Sequence, residues 1–314
     1  MEKIILSILM TNFNYSRYLS HALDSILHQD YNKLEIIIVD DASTDNSVEI
    51  IKGYIVRGLN IKLFINSVNI GTCKSAQKAL TMAQGEYILS LGSDDMIMPN
   101  VIRKSMRFIQ KHSDVGIFTA IPGIFYGDMA NKLFFKPMGT AEYRIFSNQE
   151  IIKTLLKTKY WFPGHSVIIK KKYVIKYGGY KETFQHFTDF ILHMRIAINH
   201  GLAYMPIPLS CMRINSNSFS LKKRTLNEKF QLFQIIMDEV RLDKEFDNKV
   251  KKSAVLNHLR GEFLLFLIFR PKYWTYIYPI IFHRLLRFLD NKILSRILKN
   301  KKDQRPFVIN NSKN

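Results

Sequence analysis

Carboxylates occur at three places where they could take part in a reaction. Asp40 and Asp41 are adjacent, Asp94 and Asp95 form a second adjacent pair, and Asp189 stands further along the chain. An Asp at the end of a strand often only caps the next helix, and each of these residues taken alone has that explanation. Two adjacent pairs fit it less well, because side-by-side like charges repel unless a cation or hydrogen-bond donors offset them.

The second pair, Asp94 and Asp95, suits a cation best. Carboxylates select hard divalent ions such as Mg²⁺ or Mn²⁺, which also take phosphate oxygens as ligands. The chain has neither the G-x-x-x-x-G-K-[ST] loop of P-loop proteins nor the G-x-G-x-x-G fingerprint of dinucleotide-binding folds. The residues therefore indicate a phosphate-bearing ligand that is held through a metal ion rather than by a glycine-rich loop.

The first hundred residues predict the elements that position these groups. Short apolar segments rich in β-branched residues alternate with helical patterns, as in strands that are buried on both faces. The predicted strands are 4–10, 34–39, 61–65 and 87–91. Repeated β-α-β units predict a parallel sheet with ligands at the carboxyl ends of its strands. Both Asp pairs lie in the loops at those ends.

The rest of the chain predicts a mixture of helices, strands and irregular segments. We expect a helix up to residue 111, a strand at 115–120, irregular structure over 121–150, a strand at 166–169 and a helix near 188–199. Asp189 then falls at the start of a helix. From about residue 225 the pattern is helical, and after about residue 300 we expect a polar tail.

Composition limits the possible classes of protein. With 314 residues, 47% hydrophobic and 23% charged, the chain has ordinary globular usage. Its net charge of +20 is uneven: residues 1–100 are net −3 and the remainder is net +23, unlike a uniformly basic nucleic-acid binder.

Cys73 and Cys211 stand far apart in the sequence, which favours reduced thiols and a cytoplasmic protein. The apolar start of the chain lacks a small-residue cleavage site and predicts a strand rather than a leader.

The C-terminal part has two possible interpretations. Residues 263–282 are rich in aromatics, and residues 284–299 repeat apolar side chains with a helical period. Residues 284–305 carry eight basic and two acidic side chains, a net charge of +6. Such a basic amphipathic helix can lie in an anionic membrane interface, or it can pack on the catalytic domain with a solvated basic face.

Several motifs in order resemble family 2 glycosyltransferases. They are Ser7-Ile8-Leu9-Met10-Thr11-Asn12-Phe13-Asn14, Ser25-Ile26-Leu27-His28-Gln29, Ile38-Val39-Asp40-Asp41-Ala42-Ser43-Thr44-Asp45, Asn69-Ile70-Gly71, Ala83-Gln84-Gly85-Glu86-Tyr87-Ile88, Leu91-Gly92-Ser93-Asp94-Asp95 and Gly178-Gly179-Tyr180-Lys181-Glu182 followed by Asp189. The resemblance covers roughly residues 1–220. Many relatives read Asp-x-Asp-Asp where this chain has Gly92-Ser93-Asp94-Asp95, and Glu-Asp where it has Thr188-Asp189.

The resemblance implies a GT-A fold, a Rossmann-like, mostly parallel sheet flanked by helices, and inverting transfer from a nucleotide diphosphate sugar. The implied catalytic domain is 1–220, with a nucleotide-binding half at 1–100 and an acceptor half at 101–220, followed by a helical extension at 221–314. The roles that it implies are donor contacts by Thr11, Phe13, Asp40, Asp41 and Asp94, a metal carboxylate at Asp95 in a D-x-D-type motif, and a general base at Asp189. An aromatic at Phe13 could stack on the base or simply pack in its loop.

Three side chains near these positions have weaker indications of a functional role. His193 lies one turn after Asp189, where a structural role is expected. Lys74 and Gln77 lie on the helix that faces the presumed donor, and a solvated helix face is expected for both.

The sequence thus predicts an inverting, metal-dependent glycosyltransferase of bacterial surface polysaccharide synthesis. It would use a nucleotide sugar, with UDP favoured, and a saccharide or lipid-linked acceptor, in the cytoplasm or peripherally at the inner face of the plasma membrane. One alternative is a sugar-phosphate nucleotidyltransferase, but residues 10–18 contain no Gly and only one basic residue for a nucleotide loop. Another is a non-catalytic basic module that binds nucleotide or anionic membrane.

Overall fold

The fold is seen in a computed structural model. It describes residues 3, 5–127, 132–135, 141–157, 163–214, 224–253, 255–278 and 308–310.

The first half of the chain builds the parallel part of one sheet. Its elements are β1 (Leu6–Asn12), α1 (Ser16–Leu27), β2 (Leu34–Asp40), α2 (Ser47–Val56), β3 (Ile61–Ile65), α3 (Thr72–Met82) and β4 (Tyr87–Ser90). The strands lie in the order β3-β2-β1-β4, and each adjacent pair is parallel. Every residue of β2 is buried, as expected for a strand covered by helices on both faces. The predicted strands and crossovers of this half are confirmed.

The second half adds antiparallel strands to the same sheet. Its elements are β5 (Met96–Ile97), α4 (Val101–Lys111), β6 (Ile117–Tyr126), β7 (Lys132–Phe135), β8 (Arg144–Phe146), α5 (Asn148–Lys157), β9 (Val167–Lys170), α6 (Lys171–Lys176), α7 (Thr188–His200) and β10 (Leu202–Ile214). Strand β9 joins the halves, because it pairs antiparallel with both β4 and β6.

The expectation of irregular structure over 121–150 is wrong. β6 continues to Tyr126, and β7, β8 and the start of α5 lie in that range. Pro122 and Gly123 weaken the strand pattern in the sequence, yet β6 pairs in parallel with the long strand β10. β10 accommodates its own prolines by register shifts between Met205 and Ser210, which is why its pattern gave no strand prediction.

The C-terminal region is mainly helical in residues 224–253 and 255–278, as expected. Its helices are α8 (Leu226–Leu242), α9 (Lys244–Ser253) and α10 (Arg260–Ile268), followed by a 3-10 turn at Pro271–Tyr276. A Thr225–Glu228 capping box starts α8. Strand β11 (Val308–Asn310) pairs with β7, so the expected polar tail also contributes to the sheet. None of the helices in the described ranges is both long and apolar enough to cross a bilayer.

Part of the aromatic stretch belongs to the core. Phe263, Phe266, Tyr273 and Tyr276 are buried and share one cluster with α7 and α8. For these four side chains the structure therefore favours packing over a membrane interface. The basic amphipathic segment at 284–299 lies outside the described residues.

Candidate active site

The site lies where the strand order reverses. β1 lies between β2 and β4 in the sheet. The chain adds β2 and β3 on one side of β1 and then crosses back to add β4 on the other side. In open sheets of this kind the loops at such a switch point part and leave a crevice for a ligand. Here those loops are the residues that follow β1, β2 and β4, as the sequence predicts.

Asp40 shapes the loop after β2. Its carboxylate accepts hydrogen bonds from Asn12 Nδ2 at 2.8 Å, from the Ser43 amide at 2.9 Å and from Ser43 Oγ at 2.6 Å. The side chain is fully buried. Both oxygens thus have protein donors, which supports a role in holding the β1 and β2 loops together. Direct contact of Asp40 with a nucleotide stays a prediction.

Asp41 clamps the start of α3. One carboxylate oxygen accepts from Asn66 Nδ2 at 2.8 Å and from the Ile70 amide at 2.9 Å, and the other accepts from the Gly71 amide at 2.8 Å. Burial alone would raise the pKa of Asp41, but the donors at Ile70, Asn66 and Gly71 outweigh it and hold the pKa below its usual range. Asp41 therefore stays ionised and fixes the loop between β3 and α3.

Thr11 and Phe13 are the more open members of the predicted donor set. Thr11 is partly exposed near the end of β1, opposite Val39 of β2. Phe13 is 42% exposed in the loop that follows. That loop is pinned by Asn14, which has a left-handed φ of 57° and accepts from the Thr44 amide at 2.8 Å. An exposed ring on an anchored loop is available for stacking on a nucleobase.

The second Asp pair lies beside the end of β10. Asp95 is buried, and its Oδ1 accepts from the Arg213 amide at 2.9 Å. The Arg213 side chain donates through Nε to the Asp94 carbonyl at 3.1 Å, and its guanidinium lies over the rings of Tyr18 and Phe125. Arg213 therefore donates hydrogen bonds to both residues of the pair, and it lies on β10, a strand that the sequence did not predict.

The pair fits a divalent cation. Burial raises the pKa of Asp95, and the neighbouring Asp94 carboxylate raises it further. Gly92 leaves room for both groups, since a Cβ there would lie 2.9 Å from Asp95 Oδ2 and 3.0 Å from Asp94 Oδ1. Two crowded carboxylates match the oxygen preference of Mg²⁺ or Mn²⁺. Within the described ranges no group of three or more His, Cys, Asp or Glu side chains could hold a metal ion, so phosphate oxygens would have to complete the coordination.

Asp189 lies in the first turn of α7. Its Oδ1 accepts from the Phe190 amide at 2.8 Å. Its Oδ2 faces Gly164, where an added Cβ would come within 2.7 Å. Burial raises the pKa of Asp189 to about 6, although the Phe190 amide lowers it. A carboxylate with a raised pKa can accept a proton more readily than an exposed one.

Hydrogen bonds connect the segment before Asp189 to the end of β4 and to α3. Tyr180 OH and Ser90 Oγ are 2.6 Å apart, and Ser90 ends β4 two residues before Gly92. The Tyr180 amide donates to Gln77 Oε1 on α3 at 2.8 Å. The segment that leads to Asp189 is thus fastened to the same strand end that precedes the Asp94–Asp95 pair.

The sequence did not predict several of these residues. No local sequence pattern indicated a role for Arg213, Ser90 or Gly164, because the residues that they contact are distant in the sequence. The expectation of a solvated helix face is wrong for Gln77, whose side chain bonds Tyr180. Lys74 is exposed and pairs with Glu182 at 3.0 Å, and His193 is buried within α7.

Comparison with known sequences identifies relatives. A family model described as Glycosyl transferase family 2 matches residues 7–178. An uncharacterized glycosyltransferase of Haemophilus influenzae is 38% identical over 113 residues, which cover 36% of this chain and 45% of that protein. The poly(ribitol-phosphate) β-N-acetylglucosaminyltransferase TarS of Staphylococcus aureus is 30% identical over 156 residues, covering 49% of this chain and 26% of TarS. The chain thus spans less than half the length of these two curated relatives.

Solved structures show the same fold. S. aureus TarS 1-349 in complex with UDP-GlcNAc matches with a TM-score of 0.65 at 19% identity, covering 84% of this chain and 79% of that one. A mannosyltransferase from Pyrobaculum calidifontis in complex with GDP-Man and Mn²⁺ matches with a TM-score of 0.57 at 14% identity, covering 95% and 82%. At such identities the likeness concerns the fold alone.

Proposed function

Because the chain belongs to glycosyl transferase family 2, we propose that it moves a sugar from a nucleoside diphosphate sugar to an acceptor hydroxyl with inversion at the anomeric carbon. Its fold is the GT-A fold that the resemblance implied, with a helical C-terminal region. The observation that carries the proposal is the Ser90–Tyr180 contact, which brings the Asp189 segment to the end of β4. This contact supports a site in which Asp189 acts as the base and the Asp94–Asp95 pair acts on the donor.

Asp189 is the general base in this proposal. The acceptor oxygen forms a bond to the anomeric carbon while the bond from that carbon to the diphosphate oxygen breaks. The acceptor proton passes to Asp189, and the nucleoside diphosphate leaves with the bond electrons. Only one protein carboxylate has to move a proton, unlike the carboxyl pair of glycoside hydrolases.

The donor side is assigned to the loops after β1, β2 and β4. Thr11, Phe13 and Asp41 would bind the nucleoside, with Asp40 supporting their loops and Asp94 contacting the nucleotide. Asp95, beside Asp94, would hold Mn²⁺ or Mg²⁺, which supplies positive charge to the diphosphate. A UDP-sugar is the proposed donor, supported by the relative TarS, whose structure contains UDP-GlcNAc.

The acceptor is proposed to be a saccharide or lipid-linked saccharide of a bacterial surface polysaccharide. TarS, one of the relatives, is named for adding N-acetylglucosamine to poly(ribitol phosphate), an anionic polymer. The net charge of +23 beyond residue 100 supports an anionic acceptor or an anionic setting. We place the catalytic domain at 1–220 and the helical extension at 221–314.

The test begins with donor binding. We expect UDP, among UDP, GDP, dTDP and CMP, to raise the melting temperature of the full chain, and to do so more strongly with Mn²⁺. A ligand that binds only the folded state adds RT ln(1 + [L]/Kd), about 2.7 kcal/mol at one hundred times Kd. No shift with any nucleotide would contradict the donor site.

The second step tests the base. Asp189→Asn should keep the nucleotide-induced shift and lose at least roughly a hundredfold in UDP release from UDP-GlcNAc or another UDP-sugar, measured with water or a saccharide panel as acceptor. Asp114→Asn, a change at an exposed turn residue, is the matched control and should keep full turnover. Wild-type turnover by Asp189→Asn would refute the base assignment.

A further inference from the structure

An exposed apolar patch covers the outer face of α10. Leu265, Ile268 and Phe269 follow one another at helical spacing and are 38%, 48% and 61% exposed. Trp274 is 51% exposed, and its Nε1 donates to the Ile268 carbonyl at 3.1 Å, so the indole lies against the end of the same helix. We call these four side chains the α10 patch. Contiguous large apolar side chains on a surface mark an interaction site.

The opposite face of α10 is already buried. Phe263 and Phe266 pack on Phe233 of α8, with ring centroids 5.1 Å and 5.8 Å apart. The core-facing side of the helix is therefore buried, while the side that carries Leu265, Ile268 and Phe269 is exposed. Exposed apolar side chains grouped in this way are typical of a surface that contacts another apolar environment.

Basic residues follow the patch in the sequence. Arg270 comes directly after Phe269 and is exposed, and the exposed Lys272 is ion-paired with Asp238 at 2.8 Å. The chain then continues into residues 284–305, which carry a net charge of +6. Exposed Trp and Phe beside Arg and Lys are typical of proteins that lie in the headgroup region of an anionic bilayer. A neutral protein partner would not need this charge.

Aromatic contacts also connect the patch with the segment that precedes Asp189. Phe187, two residues before Asp189, contacts Phe233 with ring centroids 6.1 Å apart. Phe233 in turn contacts Phe266, which stacks on Tyr273 at 5.5 Å. A row of ring contacts thus runs from the half-buried Phe187, near Asp189, through the buried Phe233 and Phe266 to the helix that carries the patch.

We propose that the α10 patch docks on an anionic phospholipid surface, with Phe269 and Trp274 inserted at the boundary between headgroups and acyl chains. Docking there holds Asp189 at a set height above the bilayer. A hydroxyl of a lipid-linked acceptor could then reach the base without leaving the membrane. Only this last consequence rests on the proposed function; the docking itself does not.

The test uses the full chain and vesicles without nucleotide sugar. We expect co-sedimentation with phosphatidylcholine vesicles that contain 30% phosphatidylglycerol, and weaker binding to pure phosphatidylcholine or at high salt. The double variant Ile268→Ser/Phe269→Ser should reduce the partition coefficient by roughly tenfold. Val56→Ser, at an 88% exposed position of α2, is the matched control and should bind as the wild type does.

Fluorescence reports on the patch directly. The chain has two tryptophans, so Trp161→Phe leaves Trp274 as the sole emitter. Vesicles should shift the emission of Trp274 to shorter wavelength and reduce its quenching by acrylamide. Unchanged emission, or equal partition of the double variant, would overturn the proposal even if the basic segment alone bound the vesicles.

Two further controls separate other outcomes. A dimer in light scattering that the double variant abolishes would identify the patch as a contact between two copies and overturn membrane docking. Retention of the UDP thermal shift by the double variant would show that folding and the donor site are intact. If UDP does not raise the melting temperature of the wild type, although the wild type binds vesicles, the result would count against the proposed function alone.

Discussion

The Oε1 atom of Gln77 accepts a hydrogen bond from the backbone amide of Tyr180 at 2.8 Å. Gln77 belongs to α3, whose start is clamped by the Asp41 carboxylate, and Tyr180 precedes the segment that ends at Asp189. Gly179 permits this contact, because its φ is 67° and a Cβ there would come within 2.1 Å of Gln77 Oε1. The helix α3 therefore connects the Asp41 loop with the segment that leads to Asp189.

Gln77 should position the base without binding the donor itself. Gln77→Met keeps the length of the side chain but removes the acceptor, so we expect kcat to fall by roughly tenfold to a hundredfold while donor binding is retained. Gln77→Glu keeps the acceptor oxygen and should retain most of kcat. Thr81→Ala, on the exposed face of α3, is the control. Equal losses in kcat and in UDP affinity would contradict a positioning role.

Turnover should depend on the ionisation of Asp189. Burial raises its pKa to about 6, and a base must be deprotonated to accept a proton. We therefore expect turnover to be constant above that pH and to fall tenfold per pH unit well below it. The check is a profile of kcat between pH 4.5 and 8 at saturating donor. An acid limb that stays below pH 4.5 would show that the group in control is an ordinary exposed carboxylate.

Gly164 should be required by the base rather than by the fold. A Cβ at this position meets Asp189 Oδ2 at 2.7 Å, and the movable carboxylate can give way. Gly164→Ala should thus lose roughly tenfold or more in turnover with a small change in melting temperature. Gly53→Ala, on α2 with open space around it, is the matched control and should be neutral or slightly stabilising. A Gly164→Ala enzyme with full turnover would refute the proximity of the carboxylate to the reaction.

Asp41 should stabilise the fold as well as the donor loop. Asp41→Asn turns an amide group toward the donor at Gly71, and we expect a loss of roughly 2 kcal/mol at pH 7 in urea unfolding. The pKa of Asp41 is lowered in the folded state, so its contribution is present above the unfolded pKa of about 3.9 and is lost as the pH falls further. The difference between wild type and variant should shrink accordingly toward pH 2–3. A difference that is independent of pH would contradict the ionised clamp.

The sequence by itself determined the parallel half of the sheet and the positions of its loops. Strands such as β2 are continuous apolar runs, and the turn chemistry at Asp40–Asp45 and at Gly71 is local, so both can be read from neighbouring residues. Because parallel strands end at one edge of a sheet, the sequence also predicts both Asp pairs in the loops at that edge. Asp189 was likewise predicted at a helix start, as the structure shows.

Only the tertiary structure decided which side chains hold these groups. Arg213 meets Asp95 across 118 positions of the chain, and Tyr180 meets Ser90 across 90. Such contacts depend on strand β10 and on the Gly178–Gly179 turn, and no local pattern encodes the partner that a long-range pairing selects. The same holds for α10: the sequence shows an aromatic helix, but packing decides which rings enter the core and which remain exposed. Local propensity depends on neighbouring residues, whereas burial depends on the whole folded chain.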